Sequence, residues 1–138
     1  MKSYASAHWQ GTGKEGSGTL STKSKVLENT PYEYKSRFEV GDNTNPEELV
    51  AAAHAGCFSM KLSFILGAAG FTPDSIDTNC TITLDAGAVT SSHLDVKSKV
   101  PGITAEKFAE CAEEAKKTCP MSKLLNPSIA VTMDAVLA

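Results

Sequence analysis

The sequence predicts an α+β fold formed by one domain over residues 1–138. Three observations support this prediction. The chain is far shorter than the ~250 residues beyond which chains usually divide into several domains. Its 41% hydrophobic and 21% charged residues are typical of a globular protein. Segments that alternate with a period of two are separated by two segments with helix-start signals, which gives the order three strands, helix, two strands, helix, strand.

The first three strands are predicted around two turns. The glycine-rich stretch 11–18 predicts a turn, and because no helix pattern follows it, a hairpin is favoured over a phosphate-binding loop. Strand character continues over Thr19–Leu27 and Tyr32–Val40, with the turn residues Asn29-Thr30-Pro31 between them. The alternation in the second of these segments places Arg37 on its polar face.

A long helix is predicted to begin after Asn45 and to run to about Ala69, where Gly70 ends it. Asn45 is a favourable N-cap residue and Pro46 suits the first helical position. Glu48 completes an Asn-x-x-Glu capping box, and its charge complements the positive end of the helix dipole.

The remaining elements are two strands, a helix and a final strand. The two strands are predicted near Ser75–Leu84 and Val89–Val100. Thr104 is expected to cap the second helix, which ends near Thr118. The last strand is predicted over Ser128–Val136.

Charge and hydropathy limit the partners. A net charge of −3 without a run of lysine or arginine argues against nucleic-acid binding. The apolar stretches Leu49–Gly56 and Leu62–Gly70 are too short to span a bilayer, and the first ten residues lack the apolar centre of a secretory signal. We therefore expect a cytoplasmic protein without a membrane partner. Structural disulfides are rare in that compartment, so its four cysteines are buried thiols, metal ligands or redox catalysts.

The four cysteines differ in context. Cys80 lies in an alternating strand and Cys111 on the apolar side of the second helix, so both are predicted to be packing residues. Cys119 precedes Pro120 and a possible short helix, whose N-terminus would stabilise a thiolate. Cys57 lies about three turns into the long helix, beyond the reach of the helix dipole. From these residues alone, Cys57 and Cys119 can be either core thiols or reactive ones.

His54 precedes Cys57 by three residues, a spacing compatible with metal ligation. The sequence contains no Cys-x-x-Cys or His-x-x-x-His pair that would complete a zinc site, so no metal is expected. His54 could instead act as a general base for Cys57 or be a histidine satisfied by its packing. Both alternatives stay open at this point.

Two segments carry a family resemblance. Thr44-Asn45-Pro46-Glu47-Glu48-Leu49, followed by the stretch from Ala52 to Met60 around Cys57, resembles the signature of the osmotically inducible protein C (OsmC) and organic hydroperoxide resistance (Ohr) family. Further matches to the OsmC branch follow in the same order along nearly the whole chain: Ala7-His8-Trp9, Gly18–Thr22, Arg37-Phe38-Glu39, Gly70–Asp77 and Cys119-Pro120.

The resemblance implies an OsmC-like β3-α-β2-α-β subunit in an intertwined homodimer, with a central helix packed on mixed and antiparallel sheets. It also implies a cysteine peroxidase without metal, flavin or haem that prefers organic hydroperoxides to hydrogen peroxide. By position, Cys57 is the attacking cysteine, Cys119 the resolving one, Arg37 the cation beside the thiolate and Glu47 the carboxylate that holds the arginine. The implied reductant is a dithiol, with dihydrolipoamide proteins favoured. The second helix and residues 85–88 match least, so the shape of the pocket is not implied.

Helix geometry adds a prediction about the dimer. Glu47 and Cys57 are ten residues apart, or about 15 Å along one helix, so one chain cannot bring them together on that helix. If two copies of the helix pack antiparallel, residue 47 of one copy lies level with residue 57 of the other. The small residues Ala51-Ala52-Ala53 lie at the crossing point. The prediction is two composite sites, each with Cys57 and Cys119 of one subunit and Arg37 and Glu47 of the other.

Two other functions compete with the peroxidase. Cys119-Pro120-Met121-Ser122 resembles a monothiol active-site motif and would suit a general thiol–disulfide oxidoreductase in which Cys119 attacks. In a non-enzymatic dimer, the cysteines would only pack and the protein would bind a small apolar molecule or a partner chain. In the peroxidase, four apolar residues are candidates to line a cavity for the alkyl or aryl tail of a hydroperoxide: Phe58, Met60, Phe64 and Phe71.

Overall fold

The computed structural model describes all 138 residues and contains two compact units, residues 1–49 and 50–138. Each unit contains a three-stranded sheet. The observed order is three strands, two helices, two strands, two helices and a strand. The α+β prediction is therefore confirmed; of the two short helices, the one after Cys119 was considered from the sequence and the other, within residues 32–40, was not. That the whole chain forms one domain stays a prediction.

The first unit contains an antiparallel sheet of β1 (Ala5–Gln10), β2 (Ser17–Thr22) and β3 (Thr30–Tyr32). The glycine-rich stretch joins β1 and β2 as a hairpin, as predicted. A glycine is needed at position 18, because a Cβ atom there would lie 2.6 Å from the ring of Trp9 and 2.7 Å from that of Tyr32. These two rings, with centroids 5.3 Å apart, pack over the hairpin.

Two predicted strands are wrong in part. The strand predicted over Thr19–Leu27 ends at Thr22, where the chain turns. The Thr22 N–H donates to the Leu27 carbonyl and the Leu27 N–H donates to the Thr22 side-chain hydroxyl, across a turn in which Lys25 has a φ of +62°. The strand predicted over Tyr32–Val40 is mostly the short helix α1 (Tyr34–Phe38). The Ser36 hydroxyl bonds both the N–H and the C=O of Glu33, a local bond that competes with strand pairing. Arg37 is therefore on a helix.

The long helix α2 covers Pro46–Ala68, close to the predicted range. The Asn45 side chain accepts a hydrogen bond from the Glu48 N–H at 2.7 Å, so the predicted cap is present. The Glu48 carboxylate accepts from the Thr44 hydroxyl at 3.0 Å instead of closing the predicted capping box. Gly70, with a φ of +90°, follows the helix as predicted.

The second unit contains a mixed sheet of β4 (Ser75–Asp85), β5 (Ala88–Lys99) and β6 (Ala130–Leu137). The first two strands pair antiparallel, and β6 pairs parallel to β5. A parallel neighbour requires a crossover, which α3 (Ala105–Thr118) and α4 (Pro120–Leu125) supply. Thr104 caps α3 as predicted, since its side chain accepts from the Lys107 N–H.

The core of this unit lies between α2, β5 and α3. Its buried members include two of the four cysteines: Phe58, Leu62, Leu66, Leu94, Val96, Val100, Phe108, Cys111, Ala112, Ala115 and Cys119. Residues 58, 62 and 66 recur every four positions on α2, so they form one buried face of that helix. His54 is fully buried on the same face.

Candidate active site

The structure brings together two cysteines that are far apart in the sequence. The Sγ atoms of Cys57 and Cys119 are 3.0 Å apart, although the residues are separated by 62 positions. Both are free thiols. A disulfide bond needs about 2.05 Å between the sulfurs, so a small approach would join them. The predicted proximity of these two residues is therefore observed.

Helix α2 and the junction between α3 and α4 position this pair. Cys57 lies on α2, half-buried beside the core residue Phe58. Cys119 ends α3 and is the N-cap residue of α4, so it lies at the start of the short helix that the sequence indicated, and Pro120 takes the first helical position. Its side chain is fully buried. Of the two sulfurs, that of Cys57 is therefore the one open to a substrate.

Burial raises the pKa of the Cys57 thiol above its ordinary value, and the hydrogen bond with Cys119 raises it further. A hydrogen bond with the Met121 backbone and the charge of Lys61 act in the opposite direction, but the net shift is upward. The thiolate is the nucleophilic form of cysteine. The surroundings of Cys57 within its own unit therefore disfavour its thiolate, and a nearby cation would favour it.

The first unit holds an arginine on a carboxylate. Both Nε and Nη2 of Arg37 lie 2.9 Å from Oε1 of Glu47. The arginine side chain is 42% exposed and that of Glu47 only 11%. Because both contacts go to one oxygen, Nη1 of Arg37 is free to donate elsewhere, and the buried Oε2 of Glu47 has no hydrogen-bond partner. Each residue of the pair can therefore make a further hydrogen bond, Arg37 through Nη1 and Glu47 through Oε2.

Asn45 places this pair by joining the two helices that carry it. Its Oδ1 caps α2, while its Nδ2 donates to the Ser36 carbonyl at 2.7 Å. One amide therefore fixes the start of α2, two residues before Glu47, against the helix α1 that carries Arg37. The cap was predicted from the sequence, whereas the bond to Ser36 was not.

An aromatic cavity adjoins Arg37 in the same unit. It measures about 220 Å³, and its lining includes four aromatic side chains besides the arginine: Trp9, Tyr32, Tyr34 and Phe38. The apolar residues predicted to line a cavity lie elsewhere. Phe58 and the half-buried Phe71 pack in the core, whereas Met60 and Phe64 are 66% and 70% exposed on α2. The aromatic lining was missed because residues 32–40 were predicted as a strand, whereas 34–38 form a helix, and because Trp9 joins them from β1.

The chain matches the OsmC family, described as OsmC-like protein, over residues 39–134. It belongs to this family. Peroxiredoxin OsmC of Escherichia coli (strain K12) is 51% identical over 127 residues, which cover 89% of this chain and 89% of the relative. Organic hydroperoxide resistance protein-like 2 of Staphylococcus epidermidis is 30% identical over 97 residues, 68% of each chain. The family predicted from the sequence is confirmed.

A solved structure supports the OsmC/Ohr fold. The organic hydroperoxide resistance protein OhrB of Bacillus subtilis superposes with a TM-score of 0.71 at 22% sequence identity, covering 96% of this chain and 98% of that one. At this identity the likeness concerns the fold alone. The OsmC-like fold inferred from sequence motifs is thus confirmed.

His54 of this OsmC-family chain lies in a buried polar cluster. Its Nδ1 is 2.6 Å from the Ser92 hydroxyl and its Nε2 is 2.8 Å from the Ser122 hydroxyl. All three side chains are at most 2% exposed. Since both ring nitrogens already have partners, His54 is not available as a general base for Cys57. Its two ring nitrogens have hydrogen-bond partners within the packed interior, which is one of the two alternatives that the sequence left open.

We expect His54 to make stability depend on pH. Burial lowers the pKa of His54 from the ordinary value of 6.5. As the pH falls below 6.5, His54 takes up a proton in the unfolded state before it does so in the folded state. The free energy of unfolding therefore decreases until the pH reaches the lower pKa of the folded state. Above pH 6.5 the residue has no such effect. Urea unfolding should be followed in wild type and His54→Gln between about pH 8 and about pH 5. The stability advantage of the wild type should shrink as the pH falls, and a constant difference would contradict this expectation. His8 and His93 occur in both proteins, so their effects cancel.

The other two cysteines occupy different surroundings. Cys111 is buried in the core, as predicted. Cys80 packs against the core from a half-buried position, and its sulfur lies 3.2 Å from the Ser92 hydroxyl and 3.8 Å from Nδ1 of His54. Burial raises the pKa of both thiols. Burial therefore disfavours the thiolate form of both cysteines.

Three side chains on β5 and β6 have the spacing of metal ligands. Nε2 of His93 is 3.3 Å from a carboxylate oxygen of Asp95 and 3.3 Å from one of Asp134, and its Nδ1 is 2.6 Å from the Thr132 hydroxyl. This group could not be recognised from the sequence, because the pairing of β5 with β6 joins residues about forty positions apart. The predicted absence of a metal stays a prediction.

Proposed function

We propose that this chain is a thiol-dependent peroxidase that reduces organic hydroperoxides to alcohols. The carrying observation is the 3.0 Å separation between an accessible cysteine sulfur, that of Cys57, and a buried one, that of Cys119. The names of the relatives, a peroxiredoxin and an organic hydroperoxide resistance protein, support the same activity. The proposal assigns attack to Cys57 and resolution to Cys119.

The chemistry needs two sulfurs. The Cys57 thiolate attacks the distal oxygen of the hydroperoxide, the O–O bond breaks, and the leaving alkoxide takes a proton to become an alcohol. Cys57 is then a sulfenic acid. The Cys119 sulfur attacks the oxidised sulfur, a disulfide forms, and the sulfenic oxygen leaves as water. A dithiol reduces the disulfide by exchange and is itself oxidised.

Arg37 is proposed to activate Cys57. A guanidinium near the sulfur would oppose the upward shift of the Cys57 pKa and would donate hydrogen bonds to the peroxide oxygens as negative charge develops on them. The free Nη1 of Arg37 supports this role, since the bond to Glu47 orients the group without occupying it fully. The adjoining aromatic cavity would accept the apolar part of an organic hydroperoxide.

A second copy of the chain is proposed to complete the site. The face of α2 opposite the buried residues is also apolar or small, with exposed Ala53, Gly56, Met60 and Phe64. A helix that is apolar all round belongs in an interior. Exposed Ala52 and Ala53 would let two copies of α2 approach closely near the predicted crossing point. The proposed assembly is the antiparallel homodimer with composite sites.

The two apolar stretches predicted to be too short to span a bilayer join in α2, and this prediction is corrected: by length and mean hydropathy, 1.6, the helix could cross a membrane. Only 22% of its most apolar window is buried in the chain. The core helix of a soluble protein passes the same test. The fully buried His54, bonded to side chains of β5 and α4, favours the second copy as the cover, because those bonds tie this helix to a folded unit. We therefore keep the cytoplasmic location as part of the proposal.

The rival in which Cys119 attacks has a specific difficulty. An attacking thiol must reach a disulfide substrate, and the Cys119 side chain is fully buried, whereas Cys57 is partly exposed. The buried cysteine therefore suits the resolving role. A dithiol able to reach Cys57 is needed as reductant, and a dihydrolipoamide protein is the proposed donor.

The test is turnover of cumene hydroperoxide by the reduced wild-type protein with dihydrolipoamide as electron donor. We expect one alcohol formed per dithiol oxidised. Without reductant, peptide mapping should find a single intramolecular Cys57–Cys119 disulfide, with Cys80 and Cys111 still reduced. Absence of turnover would refute the peroxidase, and a main product containing Cys80 or Cys111 would refute the assignment of the two cysteines.

A further inference from the structure

We propose that His54 and Ser122 form a positioning pair that holds Cys119 against Cys57 and thereby sets the rate at which an oxidised Cys57 is captured as a disulfide. The inference rests on the proposed function for its biological meaning. Its geometry does not depend on that function.

Two parallel contacts join the same two segments. His54 precedes Cys57 by three residues on α2, so these two side chains are neighbours on that helix. Ser122 follows Cys119 by three residues at α4, so these two are neighbours there as well. The sulfurs meet at 3.0 Å, and Nε2 of His54 meets the Ser122 hydroxyl at 2.8 Å. The hydrogen bond therefore lies one turn away from the contact between the reacting atoms.

The histidine ring is fixed from its other side. Its Nδ1 lies 2.6 Å from the Ser92 hydroxyl on β5. A neutral imidazole donates from one nitrogen and accepts at the other, and a serine hydroxyl can serve either role, so both contacts are satisfied together. The imidazole thus connects the central strand of the sheet to α4. It touches neither reacting sulfur as an acid or base, which makes it a positioning residue.

The short helix needs such an anchor. With six residues, α4 is far below the length at which a helix is stable by itself. Cys119 is its N-cap residue, so its sulfur moves with the first turn of α4. Loss of the bond to Ser122 would free that turn, and the sulfurs would spend less time near the separation that a disulfide requires.

The timing matters because a sulfenic acid has two fates. Capture by Cys119 gives a disulfide and one molecule of water. Attack on a second hydroperoxide gives a sulfinic acid and a second alcohol, and thiols do not reverse that step. A slower capture therefore diverts Cys57 towards irreversible oxidation, while the first attack on the hydroperoxide is unaffected.

Four variants separate the positioning role from general stability. Ser122→Ala removes the hydroxyl that His54 bonds. His54→Asn places an amide near the position of Nδ1 and so keeps a partner for Ser92, whereas His54→Gln reaches the position of Nε2 and keeps a partner for Ser122. Ser98→Ala is the matched control, since Ser98 is a fully buried serine on β5 whose hydroxyl has no hydrogen-bond partner.

The first readout needs no peroxide. Reduced protein reacts with 5,5′-dithiobis(2-nitrobenzoate), which forms a mixed disulfide at Cys57 and releases one thionitrobenzoate; attack by Cys119 then releases the second. Peptide mapping confirms which cysteines are joined. We expect this second release to slow about tenfold in Ser122→Ala and His54→Asn, the scale of one lost buried hydrogen bond, and to stay near wild type in His54→Gln and Ser98→Ala.

The second readout uses cumene hydroperoxide and counts the Cys57 sulfinic acid formed per disulfide. It should rise about tenfold in the same two variants, with the rate of the first attack unchanged. A wild-type closure rate in folded Ser122→Ala, or equal slowing in His54→Asn and His54→Gln, would overturn the inference. If the wild type consumes no hydroperoxide but closure still slows in the two variants, the proposed function fails and the positioning pair stands.

Discussion

Cys57→Ser is expected to lower kcat/KM for cumene hydroperoxide on the order of a thousandfold or more, because the substitution removes the nucleophile itself. A serine hydroxyl is not ionised near neutral pH and cannot replace a thiolate. Cys119→Ser should behave differently: it should consume about one equivalent of hydroperoxide and then stop, since the sulfenic acid at Cys57 has no partner. The measurement is hydroperoxide loss with dihydrolipoamide in excess.

Cys111→Ala is the control for these substitutions, because Cys111 is a core thiol outside the site and alanines already neighbour it on α3. Its activity should stay near that of the wild type. Retained peroxidase activity in Cys57→Ser together with loss in Cys119→Ser would assign the attack to Cys119. That result would favour the thiol–disulfide oxidoreductase.

Arg37→Ala is expected to lower kcat/KM by about a hundredfold to a thousandfold, the usual effect of removing a donor that stabilises charge developing in the transition state. The pKa of Cys57 is raised by its own surroundings, so loss of the cation should also leave less thiolate. The reaction of Cys57 with iodoacetamide should then require a higher pH in the variant. Arg37→Lys keeps the charge but loses the planar pair of donors, so it should restore thiolate formation more than peroxide turnover.

A mixed dimer tests where the arginine comes from. One subunit carries only Cys57→Ser and the other only Arg37→Ala. If Arg37 acts across the dimer, one site keeps both intact residues, and about half of the wild-type activity should remain. If Arg37 acts within its own chain, both sites are damaged. Inactive mixed dimers, shown by differential tags to have formed, would therefore refute the composite site.

Local signals explain which elements could be predicted from the sequence. The start of α2 depends on Asn45 and Pro46, which act on their own neighbours, so its position could be read directly. The alternation over 32–40 was misleading because polarity does not correspond to burial there: Val40 is 98% exposed while Ser36 is buried. The pair Tyr34 and Phe38, spaced four apart with ring centroids 4.8 Å apart, is the helical signal within that segment.

The residues of the site could be predicted only from the family resemblance, which assigns each role to a position in the chain. Residue chemistry alone left Cys57 and Cys119 undecided, because their contact spans 62 positions. The partners of His54 lie 38 and 68 positions away in the sequence, so no local pattern could reveal that its ring is enclosed. The roles of Cys57, Cys119, Arg37 and Glu47 in catalysis stay predictions until the variants are measured.

The two bonds of Asn45 have a mechanical consequence. Its oxygen holds the first turn of α2 and its nitrogen holds the carbonyl of Ser36, next to Arg37. Helix ends are among the first parts of a protein to open locally, at a free energy below that of global unfolding. Fraying of this helix end therefore releases the support of α1 in the same event, and the guanidinium loses its orientation while the core remains packed. On heating, the protein should therefore lose activity at a lower temperature than that at which it unfolds.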